Sequence, residues 1–220
     1  MIDYSIEKIH ADIRDKVPFV VSFYTVDTMY EKEVEGLLSS LKRFRINYII
    51  YGIRTEIPDW IQVCQLKPII IKKAMIENPT ASNVIWLDAD SSIIRYPELF
   101  YLSKPIITVK RKKSKEDPIP RYMSGTVILK NCEICKNILQ EWIDLQETPK
   151  HKGISWDQDV MGEVLEQEKY KKMVCQLPKE YIKKYNNNTC KAPVIIHWMA
   201  SREYYRKERG ELINRHEYIT

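Results

Sequence analysis

Apolar residues along the chain fall alternately into short unbroken runs and into stripes of helical period. Phe19–Thr25 is a run of apolar, aromatic and β-branched residues, the mark of a buried strand. From Tyr30 to Phe44 the apolar positions Val34, Leu37, Leu38 and Leu41 recur three and four residues apart among charges, which predicts an amphipathic helix. Tyr48–Ile53 reads as a second strand. Pro68 opens a helix over Ile69–Ile76, since proline suits a first turn, and Asn78-Pro79 stops it. Val84–Leu87 is a third buried strand that runs directly into Asp88-Ala-Asp90. This succession predicts βαβ units and a parallel sheet.

The second half is more mixed. Pro105–Val109 and Thr126–Leu129 read as strands, Cys132–Leu145 and Gln158–Leu165 as helices, and Val194–Ile196 as a last strand ending at His197. No repeat or low-complexity linker interrupts the pattern. The 220 residues therefore read as one α/β domain over 1–220, with a mixed, mainly parallel central sheet flanked by helices. Within it, a first half over about 19–100 is followed by a second over about 101–205.

Composition narrows the function. With 44% hydrophobic and 30% charged residues the chain is neither disordered nor a coiled coil. A net charge of +5 is too small for a dedicated nucleic-acid binder, so no nucleic-acid partner is expected. The run Lys110-Arg-Lys-Lys-Ser-Lys115 has no interleaved aromatics and reads as a solvated loop. Six glycines exclude a Gly-rich phosphate cradle as the organising theme. No apolar stretch is long enough for a transmembrane segment, and the charged first residues lack a secretory core, so a cytoplasmic protein is expected. Five cysteines without that core read as free thiols, with Cys132 and Cys135 on one helical turn. Asn187-Asn188-Thr189 is a sequon without meaning in the cytosol.

The sharpest chemical signal is Asp88 and Asp90, two carboxylates at i and i+2 just past the end of an apolar strand, where open α/β sheets bind ligands. Hard oxygen donors there suit Mn²⁺ or Mg²⁺ shared with a diphosphate, or else they are an acidic turn. His197, also at a strand end, completes a metal site or serves as a structural imidazole. Arg202 offers a fork for phosphate oxygens, or a solvated charge. Asp157, Gln158 and Asp159 stand at a helix start, where acids complement the dipole or face a sugar's reacting carbon. Trp156 stacks on a sugar or fills the core.

Ile85-Trp-Leu-Asp-Ala-Asp90 resembles the DxD motif of nucleotide-sugar glycosyltransferases with the GT-A fold, and the chain is most similar to the retaining family 8 enzymes, which include glycogenin and bacterial lipopolysaccharide galactosyltransferases. Thr25-Val-Asp-Thr-Met-Tyr30 resembles that family's opening loop, which implies nucleoside contacts from Thr25, Asp27 and Tyr30. Lys67 matches a basic residue before the helix preceding DxD, and Arg54 joins the donor-binding set. Met123-Ser-Gly125 resembles a donor-sugar element, which implies Ser124 and Gly125, although methionine replaces the family's asparagine. Asp157-Gln158 matches a catalytic Asp-Gln pair, and His197 a late metal ligand beside Asp88 and Asp90. Ser201 and Arg202 stand where the family carries a lysine motif.

The resemblance implies a metal-dependent transferase that moves a sugar from a nucleoside diphosphate sugar, UDP most of all, to a hydroxyl acceptor on a glycan, with retention. It also implies that about 19–100 is a nucleotide-binding half and about 101–205 an acceptor and catalytic half, with acceptor contacts expected from Lys110–Pro120 and the C-terminal stretch. A sugar-nucleotide nucleotidyltransferase is the alternative enzyme, disfavoured because the loop after the first strand lacks glycine. A basic binding module without catalysis is the other.

Overall fold

The computed structural model describes residues 4–14, 17–57, 59–110, 122–186 and 190–200. Three strands carry the first half: β2 (Phe19–Thr25), β3 (Asn47–Arg54) and β4 (Asn83–Leu87). Helix α1 (Tyr30–Arg43) links β2 to β3, and α2 (Trp60–Cys64) with α3 (Lys67–Glu77) links β3 to β4. The sequence pattern predicts each of these except α2. Glu31 and Glu33 in the first turn of α1, and Lys42 and Arg43 in its last, complement the helix dipole. Asp59 caps α2 by accepting the Ile61 N–H at 3.0 Å, and Pro68 occupies the first turn of α3.

The second half supplies β5 (Ser91–Ile93), β6 (Ile106–Lys110), β7 (Tyr122–Lys130), α4 (Glu133–Gln146), α5 (Asp157–Leu165), α6 (Glu168–Lys171), β8 (Val174–Gln176), β9 (Lys183–Lys184) and β10 (Ile195–His197). A further strand, β1 (Ser5–Asp12), precedes them all. The large sheet runs β1-β3-β2-β4-β7-β6-β8, and a separate small sheet runs β5-β10-β9. The expected mixed sheet is present. Its pairings β3/β2, β2/β4 and β6/β8 are parallel, and β1/β3, β4/β7 and β6/β7 are antiparallel.

Both faces of the large sheet are covered. Leu66, Ile70, Ile71, Trp142, Val160 and Leu165 from the α2–α5 region pack against Phe19, Val21, Ile49, Val84 and Trp86. Val34, Leu37 and Leu41 of α1, with Ile93 and Ile195 of the small sheet, pack against Val20, Ile50, Ile85 and Ile128. Adjacent residues of one strand thus serve opposite cores, which is why β2 reads as an unbroken apolar run.

This topology fixes where a ligand fits. β3 lies on one side of β2 and β4 on the other, so the winding direction reverses there. The crevice beyond the carboxyl ends of strands at such a switch is the binding place of open α/β sheets. Asp88 and Thr25 lie at those ends. Among the described residues no helix is long and apolar enough to cross a membrane. The Lys110–Lys115 run beyond Lys110, the Asn187–Thr189 sequon and Arg202 lie outside the described residues.

Candidate active site

The antiparallel pairing of β4 with β7 carries Gly125 opposite Asp88, whose N–H donates to the Gly125 carbonyl at 3.0 Å. Register shifts between Thr108 and Val109, so that β7 bulges across residues 124–126. Thr108 Oγ1 holds the bulge by donating to the Met123 carbonyl at 3.0 Å. A bulge re-aims backbone and side chains next to a site. Here it turns Ser124, Gly125 and Thr126 toward the end of β4.

Asp88, Asp90 and His197 each present one donor atom there, all within 4.8 Å of one another. Each is held by a different neighbour. Asp88 Oδ1 accepts the Trp86 indole N–H at 2.8 Å and lies 3.1 Å from Lys67 Nζ. Asp90 Oδ2 accepts the Ala200 N–H at 2.8 Å. Thr126 Oγ1 gives its only proton to the Tyr181 carbonyl at 2.9 Å, so its 2.9 Å contact with His197 must be donated by Nε2–H. That hydrogen bond leaves His197 Nδ1 with its lone pair free, as a ligating imidazole requires.

Gly125 keeps this space open. A Cβ at that position would lie 3.0 Å from Asp88 Oδ2 and 3.1 Å from His197 Nδ1. Burial lowers the His197 pKa to about 4, so the ring is neutral at ordinary pH. Burial and then Asp88 push the Asp90 carboxyl up to about 7. Asp88 goes the other way. Burial opposes its charge, but Lys67, His197 and the Trp86 hydrogen bond outweigh that and hold it below the usual carboxylate range. Two carboxylate oxygens, one of them costly to ionise without a cation, and one neutral imidazole nitrogen fit a hard divalent cation such as Mn²⁺ or Mg²⁺.

Beneath the triad lies a buried ionic network. Lys67, the first residue of α3, places Nζ 2.6 Å from Asp157 Oδ2, 3.1 Å from Asp88 Oδ1 and 3.0 Å from Ser124 Oγ. Its ammonium also lies over the Trp86 ring. Burial disfavours the ammonium, but Asp157 and Asp88 more than offset this, and the pKa stands above that of an ordinary lysine. The sequence expectation of a donor contact thus meets a lysine whose protons are engaged by protein groups. Asp157 and Gln158 open α5, the first buried and the second half-buried. The Gln158 side chain has no hydrogen-bond partner among the described residues. Trp156, just before them, is 46% exposed and so does not fill the core.

The remaining expected residues gather at the ends of β2 and β3. Thr25 Oγ1 lies 2.9 Å from Thr28 Oγ1, which donates to the Thr25 carbonyl. Asp27, in the left-handed region at φ 58°, pairs with Arg54 at 2.7 Å. Tyr30 stacks on Trp60, with centroids 4.9 Å apart and planes 11° from parallel. The structure therefore brings Thr25, Asp27, Tyr30 and Arg54 together in one corner.

Sequence reading missed Trp60, because a single tryptophan outside any predicted element carries no signal. It also missed Lys184. In the parallel pair β9/β10, Lys184 is opposite His197, and opposed residues share a face of a sheet. That puts the lysine on the metal-triad side, where its charge acts on His197.

No family model matches the sequence, and no curated protein matches it. Among solved structures the chain is similar to a glycosyltransferase involved in the glycosylation of the major capsid of PBCV-1, at 11% identity and a TM-score of 0.63, covering 90% of this chain and 100% of that one. It is also similar to the apo structure of WbbM, a bifunctional glycosyltransferase, at 14% identity and a TM-score of 0.57, covering 85% of this chain and 46% of that chain. The chain thus has the fold of solved glycosyltransferases.

Proposed function

We propose that the chain is a metal-dependent glycosyltransferase, moving a hexosyl-type sugar from a nucleoside diphosphate sugar, UDP-sugar first among them, to a hydroxyl on a glycan, with retention at the transferred carbon. The observation that carries this reading is the convergence of Asp88, Asp90 and His197 at the switch point of the sheet, joined through Lys67 to Asp157 beside Gln158. The fold shared with solved glycosyltransferases supports the reaction class.

In this reading the corner of Thr25, Asp27, Tyr30, Arg54 and Trp60 takes the nucleoside. Asp88, Asp90 and His197 would hold Mn²⁺ or Mg²⁺, which supplies charge neutralisation to the departing diphosphate. Lys184 adds positive charge on the same side, and Arg202 would offer its fork to phosphate oxygens. Ser124 and Gly125 border the donor sugar, and the Gln158 amide faces its reacting carbon. Asp157 is buried and paired with Lys67, so it is badly placed to take an acceptor proton as an inverting base must. This favours retention. Trp156 offers a flat ring to the acceptor, and the Lys110–Pro120 stretch and the C-terminal residues would supply further acceptor contacts. A cytoplasmic location goes with this reading.

A thermal-shift screen of UDP-, GDP- and dTDP-sugars with and without Mn²⁺ tests it, since a ligand that binds only the native state must raise the melting temperature. A shift requiring both a UDP-sugar and Mn²⁺ is expected. Asp90→Asn should abolish that shift while the metal-free protein melts at least as high as wild type, because a carboxylate pushed up to about 7 is not stabilising there. NMR of the product should show the donor's anomeric configuration. Absence of any shift and of any transfer, or full activity in EDTA, overturns the proposal.

A further inference from the structure

Gln65 sits between α2 and α3 and is 1% exposed, yet every polar group of its side chain is engaged. Nε2 donates to the His151 carbonyl at 2.9 Å and to the Ser155 carbonyl at 3.0 Å, and Oε1 accepts the Gly153 N–H at 3.2 Å. Its own carbonyl accepts from Gln146 Nε2, at the end of α4, at 2.6 Å. All three side-chain partners are backbone groups of one turn, residues 151–155, and α5 begins two residues beyond Ser155.

The turn is built for this contact. Gly153 is in the left-handed region at φ +64°, and a Cβ there would lie 2.7 Å from Gln62 Nε2 on α2. His151 braces the turn by contacting Ser155 Oγ through Nδ1 at 2.9 Å and Glu163 of α5 through Nε2 at 3.2 Å. On the other side, Gln65 is two residues before Lys67, whose ammonium meets Asp157. The amide therefore bridges the corner that carries Trp60 and Lys67 to the turn that launches Asp157 and Gln158. A buried amide is costly unless fully bonded, and fully bonded it fixes one geometry where an apolar side chain would only fill space.

We propose that Gln65 is a positioning residue for sugar transfer, its amide locking the 151–155 turn onto the α2–α3 corner and so holding Gln158 against the metal triad. This rests on the transferase reading above. Displacements near 1 Å at a reacting centre cost on the order of 100-fold in rate, whereas nucleoside contacts at Thr25, Tyr30 and Arg54 do not pass through this turn.

The test is Gln65→Leu, which keeps the volume and removes the bonds, with Gln65→Glu, which retains the acceptor for Gly153 N–H but cannot donate to the two carbonyls. Transfer kcat, donor KM, the melting shift with UDP and Mn²⁺, and amide exchange over residues 151–158 are read for each. Expected are a kcat lower by about 10- to 100-fold, a donor KM within about threefold of wild type, and faster exchange confined to the turn and the start of α5. Gly153→Ala perturbs the same contact from its far side and reads the same split if Gln65→Leu does not fold. Wild-type kcat in a folded Gln65→Leu protein overturns the assignment, as does unchanged exchange over 151–158. Failure of the wild-type chain to transfer sugar from any donor refutes the transferase reading instead, and the exchange arm still decides whether Gln65 pins the turn.

Discussion

Lys67 Nζ lies 2.6 Å from Asp157 Oδ2, and both side chains are less than a tenth exposed. The same ammonium reaches Asp88, so one buried cation holds a residue of the DxD pair and the acid that opens α5 in a fixed relation. Removing one partner of a buried pair leaves an uncompensated charge and costs about 3–5 kcal/mol. Lys67→Met should therefore lower the melting temperature by about 10 °C. Lys67→Met combined with Asp157→Leu should recover most of that loss and remain without transfer activity, which calorimetry and a transfer assay read side by side.

Gly125→Ala puts a methyl group 2.9 Å from His197 Cε1 and 3.0 Å from Asp88 Oδ2. Overpacking of this kind costs about 1–3 kcal/mol in a core, and here it also pushes two donor atoms apart. The variant should fold with a modest loss of stability and lose the Mn²⁺-dependent melting shift entirely. Retention of that shift would show that the space beside Gly125 is not where the cation sits.

Lys184, opposite His197 in the β9/β10 pair, should matter to the diphosphate and not to the nucleoside. Lys184→Ala is expected to weaken UDP binding in the presence of Mn²⁺ by about tenfold, the equivalent of roughly 1.4 kcal/mol, and to leave uridine binding unchanged. Lys184→Arg should restore most of the affinity. Titration calorimetry of UDP at two salt concentrations separates this from a general surface-charge effect, which raised salt would erase.

Burial, with the charge of Asp157 next, pushes the Cys64 thiol well above its ordinary value. The thiolate is the reactive form, so alkylation by iodoacetamide should be slower in native protein than in urea-unfolded protein by at least about tenfold at pH 8. Raising the pH from 8 to 9 should speed the native reaction by nearly tenfold, because far below a pKa the thiolate fraction rises tenfold per unit, and the unfolded one by only about threefold. Mass mapping of the labelled peptide checks both.

Strands buried on both faces and helices with one apolar stripe announced themselves in the sequence, because burial and period coincide there. β2, α1, β3, α3 and β4 follow their predicted spans within a few residues. β1 did not announce itself. Its burial alternates poorly, Ile9 is 61% exposed, and it is held by backbone pairing along β3, which any sequence of modest strand propensity can satisfy. The five-residue α2 is too short to show a period.

The site was legible where chemistry is local, as in Asp88 and Asp90 flanking one alanine, and at strand ends such as His197. What joins distant segments was not. Nothing near Lys67 in the sequence shows that its partner is Asp157, nothing near Gln65 names the turn it binds, and Lys184 acquires its meaning only from register with His197.

Asp88 and Asp90 follow a strand of the large sheet, whereas His197 ends a strand of the small one. An ion gripped by all three would staple the two sheets and tighten a loop between residues 90 and 197 that the Trp198 N–H bond to the Asp90 carbonyl already closes. Its release would then weaken, without itself breaking, the hold of the small sheet, in which β10 also pairs with β5 and β9. The free concentration of the metal would bear on how often β10 lets go.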